Sequence, residues 1–156
     1  MKKTKNYLKI ILFIIIPLVV GFTSSIITKN SMMIFNIIKK PPLSPPGILF
    51  PIVWSILYIM MGISSYLVIE SESKLKIKWI IIYSIQLIFN FFWSIIFFKL
   101  KQYYFAFIWL LALWILVMIL INYSKKINKL LSYFLIPYIL WMTFAGYLNI
   151  GIALLN

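Results

Sequence analysis

Gln86, Asn90 and Ser94 recur at four-residue intervals inside an otherwise apolar stretch, with Trp93 alongside, so on a helix they share one face. An amide facing hydrocarbon has nothing to bond, so that face must turn inward. Two uses are open to it: hydrogen bonds to a neighbouring helix, worth roughly 0.6–2 kcal/mol each, or polar contacts to a ligand. Tyr138, Trp141, Ala145 and Asn149 form a second such face, at spacings of three, four and four. Trp54, Tyr58, Met61 or Gly62, and Ser65 form a third. Three inward faces of this kind can pack on one another. They can equally line a pocket for a large, flat, mostly apolar ligand, with rings stacking on its conjugated face and amides and phenols orienting its polar groups.

The residues that are missing narrow the chemistry further. The sequence holds no Cys and no His, which removes thiolate nucleophiles, disulfides, imidazole bases and haem ligation by histidine. Its only acids, Glu70 and Glu72, share one hydrophilic stretch. No carboxylate lies in an apolar segment, so neither a metal site nor an intramembrane proton relay has candidate residues. Hydrolase and metalloenzyme functions are excluded on these grounds.

The elements that must carry these faces follow from hydropathy. With 64% hydrophobic and 11% charged residues, the chain is far from a soluble domain, in which about half are apolar and about a quarter charged. Apolar runs at 8–28, 47–69, 79–98, 104–122 and 131–155 are each long enough to cross about 30 Å of hydrocarbon. They are unbroken, where barrel strands would alternate. The expectation is an all-α integral membrane protein: one domain over 1–156, a bundle of five transmembrane helices with a Pro-rich first loop. The Lys-rich start resembles a signal peptide, but its apolar run exceeds a cleaved h-region and no small-residue cleavage site follows, so it is read as a retained helix.

All fifteen basic residues are lysines, set in short groups between the apolar runs rather than on one surface. That distribution fits loops flanking a bilayer and argues against nucleic acid. Ten lysines fall on the N-terminal side of the bundle and five on the other. The positive-inside rule thus predicts a multi-pass protein of the cell membrane with its N-terminus in the cytoplasm. The first connection carries an apolar patch, Met32-Met33-Ile34-Phe35 with Ile37-Ile38, spaced for a short amphipathic helix. Five of the seven prolines then fall between residues 41 and 51. Proline fixes φ, so this loop is expected to be stiff, either a lid over the helix ends or a spacer on the headgroups. Gly21 and Ser25 form a small-xxx-small pair, suited to close helix approach or to dimerisation.

Four strings then carry a resemblance. Lys40-Pro41-Pro42-Leu43-Ser44-Pro45-Pro46-Gly47 and Phe50-Pro51-Ile52-Val53-Trp54-Ser55-Ile56-Leu57-Tyr58 resemble the TspO/MBR family of tryptophan-rich sensory and translocator proteins. Gln86 to Ser94, with Phe97-Phe98, is similar to the family's third helix. Leu135-Ile136-Pro137-Tyr138, Trp141, Phe144-Ala145 and Leu148-Asn149 are similar to its fifth. The resemblance implies a five-helix bundle, often a homodimer, that takes protoporphyrin IX or another flat amphiphile as ligand, with no tightly bound cofactor. It implies a ligand pocket at Trp54, Tyr58, Asn90, Trp93, Trp141 and Ala145, with Gln86 and Tyr138 placed to orient polar groups. Trp54 and Trp141 match tryptophans linked to light-dependent porphyrin breakdown, chemistry that draws on an oxidisable indole rather than on acid–base groups. Without histidine, a metal-free tetrapyrrole is favoured over haem. The alternatives are a transporter of porphyrins or small amphiphiles, and a regulatory or scaffold protein without ligand turnover.

The sequence departs from the family pattern at three places. Leu43 stands where an aromatic is usual, Trp109 replaces an acid common in the fourth helix, and Tyr147 lacks the basic residue that a proposed sterol motif requires after it.

Overall fold

The structure, a computed structural model, describes residues 2–156, apart from the side chains of residues 2–6, 30–32 and 34. Five helices follow one another: α1 (Lys2–Phe35), α2 (Leu49–Glu70), α3 (Lys76–Ser94), α4 (Tyr103–Ile127) and α5 (Lys129–Leu155). All five are long and apolar enough to cross a membrane, and the described residues contain no strand. The five-helix membrane bundle expected from hydropathy is the fold observed. α3 ends in a π turn, Ile95–Lys99, in which Leu100 N–H reaches back five residues to the Ile95 carbonyl at 3.0 Å.

The largest difference from the sequence reading is in α1. The patch expected to make a separate amphipathic helix instead continues α1 as far as Phe35. No Gly or Pro interrupts residues 22–40, so nothing stops the helix there. The apolar span itself covers Tyr7–Lys29. At 1.5 Å per residue α1 reaches roughly 50 Å, so its last turns stand clear of about 30 Å of hydrocarbon. Helices α1 and α5 run on through Pro17 and Pro137.

The helices close into a ring in the order α1–α2–α5–α4–α3, with the π turn also against α1. Its polarity is inverted relative to a soluble protein. Ile16, Phe22, Ile56, Ile88, Ile108 and Leu140 face outward, whereas Ser64, Gln86, Asn90, Ser124 and Asn149 are buried. Such a surface is stable only in lipid, where the outward side chains meet hydrocarbon and the inward polar groups meet one another.

Two glycines set how closely α1 approaches α2. A Cβ on Gly62 would lie 2.5 Å from Ile14 Cα and 2.8 Å from the Phe13 carbonyl oxygen. A Cβ on Gly21 would lie 2.1 Å from the Tyr58 ring. The close approach expected of Gly21 is made within the chain, against Tyr58.

The Pro-rich loop docks on the end of α5. The Tyr147 hydroxyl donates to the Pro42 carbonyl at 2.8 Å. Asn156 accepts from Lys39 N–H at 3.1 Å and donates to the Lys39 carbonyl at 2.9 Å. Gly151 leaves room for the Pro41 ring, which a Cβ would meet at 2.6 Å. Leu43 takes a left-handed conformation (φ 66°) and points outward, 83% exposed, while Ser44 closes the turn onto the Pro41 carbonyl. At the opposite end of the bundle, Lys9 pairs with Glu70 at 3.1 Å.

Candidate functional site

Where α1 diverges from α2 and the end of α3, a cavity of about 520 Å³ opens. Its wall is built around Trp54, whose ring lies 5.6 Å from Tyr58, 6.3 Å from Trp93 and 6.0 Å from Tyr138. Tyr58 and Trp93 also line the cavity, as do Phe50 and Phe98. From the α1 side come Leu18, Gly21, Ser24 and Thr28. The rim includes the exposed side chains of Val19, Phe22, Pro51 and Ser55, so the cavity opens sideways within the apolar spans of α1 and α2. The lining holds no charged residue.

The π turn helps to shape this wall. Trp93 stacks on Phe97 at 5.5 Å while Phe98 turns to the cavity, so consecutive aromatics serve the core and the site. Insertions of this kind in a helix commonly re-aim side chains near functional sites.

Behind the wall runs a chain of hydrogen bonds through three helices. The Tyr58 hydroxyl donates to Asn90 Oδ1 at 2.5 Å, and Asn90 Nδ2 donates to the Tyr138 oxygen at 3.0 Å. The Tyr138 hydroxyl donates to Gln86 Oε1 at 2.9 Å, and Gln86 Nε2 points at the Met61 sulfur at 3.8 Å. Every polar group of these buried side chains is thus spent on a neighbouring helix, which satisfies them in a medium without water. Of the two uses open to the Gln86–Asn90 face, this part makes interhelical bonds, while Trp93 and Ser94 reach the cavity.

Polar groups left over are few. Four of the six indoles donate within the bundle: Trp79 to Ser124, Trp93 to Asn149, Trp109 to the Phe89 carbonyl and Trp114 to Thr143. Trp54 and Trp141 make no such bond among the described residues, and the Trp141 N–H is buried without a partner. The Ser24 hydroxyl, also buried without a partner, is part of the cavity lining.

The sequence profile of the TspO/MBR family matches residues 13–155. The chain belongs to the TspO/MBR family. It is 33% identical to the tryptophan-rich protein TspO of Chlorobaculum tepidum, over 97% of this chain and 98% of the relative. The corresponding protein of Archaeoglobus fulgidus is 35% identical over 97% and 99% of the two chains. The sheep translocator protein is 30% identical over 72% of this chain and 68% of its own. The matched region runs from Phe13, inside α1, to Leu155, the last residue of α5, and so contains every residue that walls the cavity. It is a multi-pass membrane protein of this family.

Of the candidate residues carried by the family resemblance, Trp54, Tyr58 and Trp93 meet at the cavity, with Gln86, Asn90 and Tyr138 directly behind them. Trp141 and Ala145 lie across Phe50 from it. Trp141 packs on Phe50 at 5.9 Å and Phe144 at 5.6 Å beside a shallow α2–α5 groove, and Ala145 borders a small void shared with Phe50 and Trp93. Phe50, Phe98 and Ser24 were not singled out as site residues from the sequence. Phe50 carried a signal, since it precedes Trp54 by four residues on the same helical face. Ser24 did not, and Ser25 beside it, noted with Gly21 for its small size, borders the cavity as well. Trp109, where the family often has an acid, stacks on Phe89 at 4.4 Å and donates its N–H to the Phe89 carbonyl at 2.8 Å, which keeps a polar α3–α4 contact.

Proposed function

We propose that this TspO/MBR protein binds a tetrapyrrole, metal-free protoporphyrin IX, in the cavity around Trp54, and that it serves porphyrin sensing, handling or light-dependent breakdown. The observation that carries the reading is the wall itself: three mutually tilted rings, Trp54, Tyr58 and Trp93, facing an uncharged space of about 520 Å³. Ligand pockets commonly measure about 300–1,000 Å³ and join apolar walls to a few polar groups. A flat conjugated macrocycle gains from stacking on such rings, and Ser24 and the Trp54 N–H supply the polar contacts. The sideways opening suits a ligand that arrives dissolved in the membrane.

In this reading Gln86, Asn90 and Tyr138 act from behind, by holding the Tyr58 ring in the wall. Trp141 and Ala145 support the wall through Phe50. Light-dependent breakdown would draw on the indoles of Trp54 and Trp141, with photo-excited porphyrin and oxygen as the other reactants. The sequence offers no histidine to hold a haem iron, in keeping with a metal-free ligand. The reading includes a homodimer in the cell membrane, with the N-terminus in the cytoplasm.

The test is a titration of protoporphyrin IX into detergent-purified protein. Tryptophan quenching is followed in the dark and porphyrin absorbance under light, for wild type, Trp54→Phe and Trp141→Phe. Saturable quenching that Trp54→Phe weakens is the expected result. Light-driven loss of porphyrin that either substitution abolishes supports breakdown; binding without loss leaves sensing or carriage. No saturable binding at micromolar protein refutes the porphyrin function.

A further inference from the structure

Resting on the tetrapyrrole reading, we infer that the loop end of the cavity is a carboxylate subsite, in which Lys40 anchors an acidic arm of the ligand and selects carboxylic tetrapyrroles over their neutral esters. The cavity lining itself holds no charge. A carboxylate drawn into it would lose its hydration and meet no counter-charge, so an acidic ligand must keep its carboxylates at an end where cations wait.

The two ends of the bundle differ in this respect. Both acids of the sequence, Glu70 and Glu72, lie at the α2–α3 connection, and Lys9 is paired with one of them. The loop end carries Lys29, Lys39, Lys40, Lys99 and Lys101 with no acid among them. Its charged side chains are therefore all positive, and an anionic group meets no competing side-chain carboxylate there.

Lys40 is the lysine tied to the cavity by contacts. Its Nζ sits 4.8 Å from the Phe35 ring centroid. Phe35 packs edge-on against Phe50 at 5.2 Å and Phe98 at 6.1 Å, and both of these line the cavity. The ammonium thus stands one ring behind the wall, and the subsite requires the carboxyl-bearing arm to reach past Phe35. Its cation–π contact uses one side of the ammonium and leaves N–H donors free for a carboxylate. The position is held by the neighbouring backbone. Lys39 is bonded twice to Asn156, Pro41 is seated on Gly151, and Pro42 accepts from Tyr147. A lysine between such anchors loses little freedom when it binds, unlike one on a mobile loop.

The experiment compares protoporphyrin IX with its dimethyl ester, which keeps the macrocycle and removes the charge. Both are titrated in the dark into wild type, Lys40→Gln, Lys40→Arg and Lys74→Gln in an uncharged detergent. Expected are tighter binding of the acid than of the ester, a loss of about three- to tenfold in acid affinity for Lys40→Gln, and no change for the ester. Lys40→Arg should retain the acid affinity, Lys74→Gln at the far end should change nothing, and added salt should shrink the acid's advantage. Equal binding of acid and ester, unmoved by Lys40→Gln, overturns the subsite and leaves the tetrapyrrole pocket standing. Equal weakening of both ligands by Lys40→Gln also overturns it, since the lysine would then shape the loop and not read charge. Binding of neither ligand overturns the subsite together with the reading on which it rests.

Discussion

Tyr138 is the centre of the buried hydrogen-bond chain, and replacing it with Phe tests whether that chain ties the helices together. Its oxygen accepts from Asn90 at 3.0 Å and its hydrogen goes to Gln86 at 2.9 Å, so Tyr138→Phe breaks two interhelical bonds at once. Tyr58→Phe breaks one, to Asn90 Oδ1. Interhelical bonds in membrane proteins average about 0.6 kcal/mol and reach about 1.7 kcal/mol. Two bonds therefore give about 1–3.5 kcal/mol for Tyr138→Phe, and one gives about half that for Tyr58→Phe. The upper part of the range is expected, because Tyr138 and Gln86 are 0% exposed and Asn90 1%, which leaves the orphaned amides no route to water. The assay is equilibrium unfolding in mixed micelles, by titrating a denaturing detergent into a mild one and following helical circular dichroism. The single variants and the double variant are each combined with Asn90→Leu. Asn90 is shared by both bonds, so its coupling to each tyrosine should be positive and larger than the coupling of Tyr138 to a distant site such as Ser132. A cost below about 0.5 kcal/mol for Tyr138→Phe, or one no larger than for Tyr58→Phe, would refute the reasoning, since the amides would then re-pair at little expense.

Gly62→Ala places a methyl against the backbone of α1, which cannot rotate away. A loss of about 1–3 kcal/mol in the same unfolding assay is expected, with weaker porphyrin binding because α1 forms one wall of the cavity. Ser24→Ala removes a buried hydroxyl that has no partner among the described residues, so stability should hold or rise slightly. Ligand affinity, read by tryptophan quenching, should fall about threefold or more if that hydroxyl bonds the ligand. Tyr147→Phe combined with Gly151→Val removes the Pro42 bond and the Pro41 seat on α5, loosening the Pro-rich loop, and faster ligand release in stopped-flow fluorescence is the expected outcome. An unchanged release rate would mean that the loop does not gate the site.

Much of the fold was legible because lipid imposes simple rules. Five apolar runs of sufficient length, interrupted by lysines and prolines, leave few alternatives to five helices. The inward faces were legible for the same reason, since an amide or a run of aromatic and polar residues at helical spacing cannot be left in hydrocarbon. The end of α1 was misjudged because a change in amphipathic character is not a helix stop; without Gly or Pro the backbone continues to Phe35. The π turn at Ile95–Lys99 has no residue signature either, and it sends Phe97 and Phe98 to different surroundings.

Residue types and periodicity by themselves determined that this protein lives in a bilayer, that no histidine or cysteine is available to its site, and that Trp54, Tyr58, Asn90 and Tyr138 face inward. Only the tertiary structure decided what those faces meet. The ring order α1–α2–α5–α4–α3 brings Tyr58 and Tyr138 to the two ends of one amide, leaving Trp54 at the cavity and Trp141 on the far side of Phe50. Periodicity is a property of a single helix, whereas a pocket depends on the rotation and order of several. Those are set by close approaches between helices, such as Gly21 to the Tyr58 ring and Gly62 to the Ile14 backbone, which no pattern within one helix encodes.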